Sequence, residues 1–379
     1  MLILEEFTGV TEELRAEVRA SADESEALRT MPSHLVEATK TAGLFRMAMS
    51  ATLGGLELDP ITIVESIEAL SHADASAGWT TLIGNSTAFF AWLEPTAAKD
   101  MLGGNCNVVS TSMFAPMGKA RCDGGDLVIE GRWPFNSGCV HADWYQAAVV
   151  VMNDGQPDMR TDGRPDVRFA MFPQEGASII DTWHSLGLRG TGSHDIEVHD
   201  LRVPIEHTAA PMLDDPADSG PLSRLGFFPL LTVLMSGLPL GVARRALDEL
   251  AQLACTKRRG TSPVPIADDS KVQYDIGRAD AALQAARVFL LDTLDDAWAT
   301  VTAGLTLSSD QTTRIALAGQ QTMNVSVTAV DRAFAVAGAS AVYTSHPLQR
   351  CFRDIHTANQ HIAFAGQCFG AHGHALLTR

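Results

Sequence analysis

Apolar residues in the first hundred positions recur at three- and four-residue spacing, at Leu14 and Val18, then Leu35, Ala38 and Ala42, then Ile63, Ile67 and Leu70. That is the period of helices with one buried stripe. Gly54-Gly55 and Pro60 punctuate the run. From Val108 to Val203 the pattern changes to brief apolar runs at 127–129, 147–151 and 167–171, divided by Gly124-Gly125, Asn153-Asp154-Gly155 and Asp162-Gly163. Such turn chemistry between short runs predicts β structure. A polar connector at 214–220 then gives way to long helical patterns over roughly 227–257, 268–303, 309–338 and 347–377. Four helices of that kind are expected to pack as a bundle. The predicted fold class is α+β: an N-terminal helical domain over 1–107, a middle β-barrel or sandwich domain over 108–213, and a C-terminal four-helix bundle over 214–379.

Composition narrows the partners. At 379 residues and 46% hydrophobic content the chain is long enough for a large core, and 28 basic against 45 acidic residues leave a net charge of −17. That charge opposes the phosphate neutralisation nucleic-acid binding requires and disfavours an anionic membrane surface, so a small-molecule substrate is expected. Six cysteines without a CxxC pair suggest neither a disulfide framework nor a zinc ribbon, and point to a reducing cytoplasm. The start, MLILEEFTGV, lacks the basic residue and long apolar core of a signal peptide. The uncharged stretch 225–243 approaches membrane-spanning length, yet Pro229, Thr232, Ser236, Gly237 and Pro239 interrupt it, and a buried helix is expected there.

The stretch 131–144, GRWPFNSGCVHADW, carries the strongest chemical hint. Period-two alternation puts Trp133, Phe135 and Ser137 on one strand face, where two aromatics and a hydroxyl could floor a planar ligand or simply pack in a core. Gly190-Thr191-Gly192-Ser193 lacks the third glycine of a dinucleotide fingerprint, with Asp195 there instead and a β run following, so a Rossmann reading is rejected. His356 turns away from His361 on a helix, and His372 and His374 sit in a Gly-containing tail, so no metal cluster is expected. His141 and His184, near the aromatic motif, default to structural roles.

Helices, then β structure, then a bundle, with PMGKA at 116–120, DGG at 123–125, GRWPFNSG at 131–138, LGLRGTGSHDIEV at 186–198 and QRCFRDIHTANQH at 349–361, resembles the acyl-CoA dehydrogenase superfamily. Within it the chain is most similar to the two-component (group D) flavin-dependent monooxygenases. The dehydrogenase branch needs a carboxylate to remove a proton beside a thioester carbonyl. Here 355–379 contains no Asp or Glu, and the other family position falls in the acid-free 225–243. Where that base would lie stands His361, four residues or one turn beyond Thr357 and eight residues or two turns beyond Arg353, so a continuous helix would put all three on one face.

The resemblance implies an oxygenase component that takes reduced FMN or FAD from a separate flavin reductase and uses O2, through a flavin hydroperoxide, to hydroxylate a small aromatic or polycyclic substrate. It implies that Phe135 lies against the flavin, that Ser137 offers its hydroxyl to the ring nitrogen beside the reactive carbon, and that His361 holds the oxygenated flavin or the substrate's proton. Ser112 and Met113 match the approach to the pyrimidine edge, although a plain strand end accounts for them equally. Arg259, after Lys257 and Arg258, matches a flavin-phosphate ligand, while a helix C-terminus favours cations by itself. Gly190 to Ser193 is either a loop near the flavin or a turn needing positive φ. Arg350 and Asp354, one turn apart, are read as structural support. Some aromatic hydroxylases of this branch carry histidine six or seven residues beyond the tryptophan matching Trp79; here Asn85 and Ser86 follow, so Trp79, Asn85 and His361 are the expected substrate contacts. The family likeness further implies a homotetramer. An acyl-CoA dehydrogenase with a relocated base, an N-oxygenase acting on an amine or amino sugar, and a catalytically silent ligand-binding scaffold are the alternatives.

Overall fold

The computed structural model describes residues 7–378; most of the N-terminal stretch weighed above, 1–6, and Arg379 lie outside the described residues. The chain divides into two compact units, one drawn from Met1–Asp59, Trp79–His184 and Arg189–Leu230, the other from Pro60–Gly78, Ser185–Leu188 and Leu231–Arg379.

The first unit opens with α1 (Glu12–Ala20), α2 (Ala22–Leu28) and α3 (Ser33–Thr41). Thr11 caps α1 by accepting from the Leu14 amide at 3.2 Å, and the helix buries Leu14 and Val18, the stripe its sequence predicts. Next come α4 (Pro60–Ala73), α5 (Ala75–Gly84) and α6 (Pro95–Leu102). Of these α4 belongs to the second unit, and α5 lies mostly in the first.

The β region forms one sheet: β1 (Ser110–Asp123), β2 (Asp126–Asn136), β3 (Trp144–Asn153), β4 (Gln156–Pro157), β5 (Val167–Pro173), β6 (Ser178–Ile180), β7 (His194–Pro204) and β8 (Thr208–Ala209). Its order is β6-β7-β2-β1-β3-β5-β8, with β4 hairpinned on β3. All pairings are antiparallel except β1 with β3. Trp133, Tyr145, Phe172, Ile129, Val149 and Ile196 build its core. Room for the Trp133 indole comes from Gly118, where a Cβ would stand 2.1 Å from the ring.

The second unit holds α7 (Phe227–Thr256, from Leu231), α8 (Ser270–Thr302), α9 (Ser309–Ala337), α10 (Pro347–Ala358) and α11 (Gln367–Leu377). The helix α7 runs unbroken through Pro239, and 78% of its most apolar window is buried, as expected of a core helix. Gly237 lets it cross α4 closely, since a Cβ there would meet the Val64 carbonyl oxygen at 2.4 Å. Arg287 of α8 fastens to Glu65 and Glu68 of α4 at 2.8 and 3.0 Å. Two expectations need correction. The basic run Lys257-Arg258-Arg259 follows α7, which ends at Thr256. The final helix is also two helices, because the chain leaves helical geometry after Ala358 and restarts beyond Gly366, which has φ 74°.

Candidate functional site

The end of β2 sets the geometry. Trp133 points inward, fully buried, and its Nε1 donates to the Ala148 carbonyl at 2.9 Å. Strict alternation would carry Phe135 to the same side. Instead the β2–β7 register shifts between Trp133 and Asn136, and Phe135 adopts a left-handed backbone at φ 65°. A bulky residue there costs on the order of 1–3 kcal/mol and persists only where its surroundings hold it. The bulge turns Phe135 out to 65% exposure while Asn136 is buried with its Nδ2 on the Trp133 carbonyl at 2.7 Å. The shared face predicted for Trp133, Phe135 and Ser137 is therefore wrong: the tryptophan is core, Ser137 is buried, and only the Phe135 ring is exposed.

Trp183 stands edge-on to Phe135, the ring centroids 6.4 Å apart at 89°. Its loop is braced at both backbone atoms. Arg29 donates to the Trp183 carbonyl at 3.3 Å and to Asp181 at 2.7 Å, and the Trp183 and Thr182 amides both donate to His194 Nδ1 at 3.2 Å. Arg29 holds the Asp181 carboxyl down at about 2, and burial lowers His194, which keeps that imidazole neutral and accepting.

Behind Phe135 lies a buried line of hydroxyls. Ser137 Oγ accepts from Trp79 Nε1 at 2.8 Å and lies 2.7 Å from Ser193 Oγ, which is 2.6 Å from Thr191 Oγ1. The Gly190-to-Ser193 segment is thus brought to the motif, pinned by the Gly138 amide donating to the Thr191 carbonyl at 2.8 Å, and Gly192 takes φ 57° as a turn requires. Sequence reasoning flagged that segment by its glycines and missed its two hydroxyls. Ser112 pairs with Ser86 at 2.7 Å, and Met113 packs against the sheet core. Just beyond them β1 loses its β3 pairing between Met113 and Gly118, where Ala115, Pro116 and Met117 are exposed.

Asn85 is a correction. It has no exposed surface; its Oδ1 accepts from the Ala48 amide at 3.0 Å and its Nδ2 donates to the Leu44 and Thr81 carbonyls at 2.7 and 2.9 Å. Both amide hydrogens are spent on backbone, so Asn85 knits α5 to the 44–48 segment and offers a substrate nothing. His141 also lies near the motif, with both ring nitrogens shut from solvent and without a hydrogen-bond partner. Burial, aided by the Lys40 charge, pushes it down to about 4.

In the second unit His361 lies beyond α10, not on it, which overturns the predicted face shared with Thr357 and Arg353. Its Nδ1 accepts from the Ala363 amide at 3.2 Å, capping the short turn Ile362–Phe364. Burial pushes the ring down to about 4, so the imidazole is neutral near pH 7. With Nδ1 accepting, the neutral ring's proton sits on Nε2. Arg259 pairs with Asp269 at 2.7 Å while remaining largely exposed, and Lys257 is engaged with the Ala337 carbonyl and Ser340. Asp354 accepts from the Leu188 amide at 2.7 Å, and His356 pairs with Asp331 at 2.7 Å, both structural.

A planar tricyclic ring needs an apolar support, a polar partner for its central nitrogen and free backbone groups for its polar edge. Phe135 with Trp183, the Ser137 hydroxyl and the unpaired stretch of β1 supply these, so the residues of the first unit fit a flavin.

The acyl-CoA dehydrogenase N-terminal domain profile matches residues 7–94 and the C-terminal domain profile residues 233–365. The indole-3-acetate monooxygenase of Pseudomonas putida is 32% identical over 92% of this chain and 87% of its own length. The flavin-dependent monooxygenase oxygenase subunit HsaA of Rhodococcus jostii is 28% identical over 91% of each chain. Among solved structures, XiaF from Streptomyces in complex with FADH2 and glycerol superposes with a TM-score of 0.83 at 25% identity, covering 94% of this chain and 96% of its own.

Proposed function

This chain belongs to the acyl-CoA dehydrogenase superfamily and, within it, to the flavin-dependent monooxygenases, as an oxygenase component; from that premise we propose how its residues serve the reaction. Reduced flavin, FAD or FMN, supplies two electrons to dioxygen, so that one oxygen atom enters the substrate and the other leaves as water. Phe135 fixes the ring plane, Trp183 closes its side, and Ser137 hydrogen-bonds the ring nitrogen beside the reactive carbon. Backbone groups after Ser112 and Met113 hold the pyrimidine edge. His361, neutral and protonated at Nε2, donates a hydrogen bond toward the oxygen being delivered. Arg259 exchanges Asp269 for the flavin phosphate.

The observation that carries this reading is Phe135, a large aromatic held exposed on a left-handed backbone directly before a buried hydroxyl line. A fold stores such strain where a ligand uses it. The substrate we infer is a small fused or substituted aromatic, because an electron-rich ring accepts an oxygen atom without a carboxylate base, and a relative of this chain acts on indole-3-acetate. The electrons come from a separate reductase, a reading supported by the name oxygenase subunit carried by a relative and by the want of a nicotinamide fingerprint in 190–195. A homotetramer would cover the apolar Ser309–Val342 stretch, whose most apolar window is only 33% buried. Six free cysteines fit a cytoplasmic setting.

The test is rapid mixing of protein, prereduced flavin and oxygen, following flavin reoxidation and peroxide release across a panel of aromatics. Protein should change the reoxidation course, and a true substrate should divert electrons from peroxide to hydroxylated product. Reoxidation identical to that of free flavin, or dye reduction driven by acyl-CoA thioesters, would overturn the reading.

A further inference from the structure

We propose that Ser193 and Thr191 set the direction of the Ser137 hydroxyl, so that one site pairs with a flavin ring nitrogen both when that nitrogen carries a proton and when it does not. The inference rests on the reading above that Ser137 faces that nitrogen. Trp79 Nε1 can only donate, so one lone pair of Ser137 Oγ is permanently taken, which leaves one proton and one lone pair. The Ser137–Ser193 and Ser193–Thr191 contacts, 2.7 and 2.6 Å, are each between two hydroxyls, and each can run either way. If Thr191 donates to Ser193 and Ser193 to Ser137, the Ser137 proton is left for a bare nitrogen, as in oxidised flavin. If the line reverses, Ser137 donates to Ser193 and Ser193 to Thr191, whose own proton turns from Ser193 toward a further partner of that residue, and the second lone pair of Ser137 is left for an N–H, as in reduced flavin.

The parts are fixed and dry. Ser137, Ser193 and Thr191 are 5%, 3% and 0% exposed. The Ser137 carbonyl accepts from Thr111 at 2.8 Å, and the two loops are joined by the Gly138 amide on the Thr191 carbonyl at 2.8 Å. Neither loop has to move for the line to reverse; only hydroxyl rotors turn. Ser193 and Thr191 are positioning residues, acting through Ser137.

Ser193→Ala breaks the line unequally. With oxidised flavin, Ser137 still donates to the ring nitrogen and loses only an incoming bond. With reduced flavin, Ser137 accepts from the ring but its own buried O–H has no partner, the more costly defect. Binding of FAD and FMN is measured for both oxidised and dithionite-reduced forms under anaerobic conditions. Ser193→Ala should weaken reduced flavin about ten-fold more than oxidised flavin, which lowers the bound two-electron midpoint potential by about 30 mV. Thr191→Val, nearly isosteric, should shift it the same way by less, and Ser193→Thr should restore the wild-type ratio. Equal weakening of both forms by Ser193→Ala and Thr191→Val overturns the inference and leaves a structural role. If Ser137→Ala changes neither affinity, the reading beneath it has failed instead.

Discussion

Replacing His141 with leucine should remove a large part of the protein's loss of stability in mild acid while costing little at neutral pH. The folded imidazole is pushed down to about 4, against an ordinary value near ~6.5. Below ~6.5 the unfolded chain takes up a proton that the folded chain refuses, so stability falls as the pH drops. The loss flattens once the pH passes the folded value. A separation of about 2.5 units at ~1.4 kcal/mol each gives about 3 kcal/mol between pH 7 and pH 4, an upper figure because the residue keeps some surface. Near neutrality the substitution removes two buried nitrogens that have no partner to lose, so the variant should be at least as stable as the parent. Urea unfolding of both proteins at several pH values between 7.5 and 4.5 reads the difference directly. His361, also pushed down, and Glu68, pushed up by burial, contribute to each curve and cancel in the subtraction. Stability curves that run parallel with pH would refute the argument, since they would mean His141 titrates alike in both states.

His361→Asn and His361→Ala separate a cap from a donor. Asparagine replaces the acceptor for the Ala363 amide and alanine does not, so only alanine should cost about 1 kcal/mol in melting experiments, whereas both should raise peroxide release per product by about ten-fold or more if Nε2–H serves the oxygen. Asn85→Ala leaves the buried Ala48 amide and Leu44 carbonyl unpaired, while the Thr81 carbonyl keeps the backbone amide of residue 85, and roughly 2–5 kcal/mol of stability should go, read by chemical unfolding, with substrate affinity of the folded protein unchanged. Phe135→Ala removes an exposed ring, so stability should stay within about 0.5 kcal/mol while flavin affinity, by fluorescence titration, falls about ten-fold.

Periodicity carried the architecture. The helix–β–helix order and the burial of 225–243 were legible because apolar spacing reports which face is covered, and that information is local. The failures share a cause. Alternation is a property of a regular strand, and one bulge with one left-handed residue reverses it, which nothing in WPFNSG announces. Asn85 looked like a free polar group because its three backbone partners lie 4 to 41 residues away. The His361 face assumed a helix that ends at Ala358. Ser193, 56 residues from Ser137, was visible only as part of a glycine-marked loop.

The line beside Phe135 consists of the Ser137, Ser193 and Thr191 hydroxyls and the Trp79 N–H, and in the other unit, taken by itself, burial pushes the His361 imidazole toward its neutral form. A group that must strip a proton from carbon needs either charge or a basic lone pair held open, and Nδ1 of His361 is already occupied by an amide. What the hydroxyl line of the first unit offers instead is direction without charge: donors and acceptors whose sense can reverse at the cost of a hydroxyl rotation. Such a set suits a ligand whose hydrogen-bonding pattern changes when it gives up electrons, and it leaves the substrate's own electrons to complete the bond to oxygen. The absence of acid from 225–243 and 355–379 and the hydroxyl line beside Phe135 are thus two independent reasons for the same chemistry.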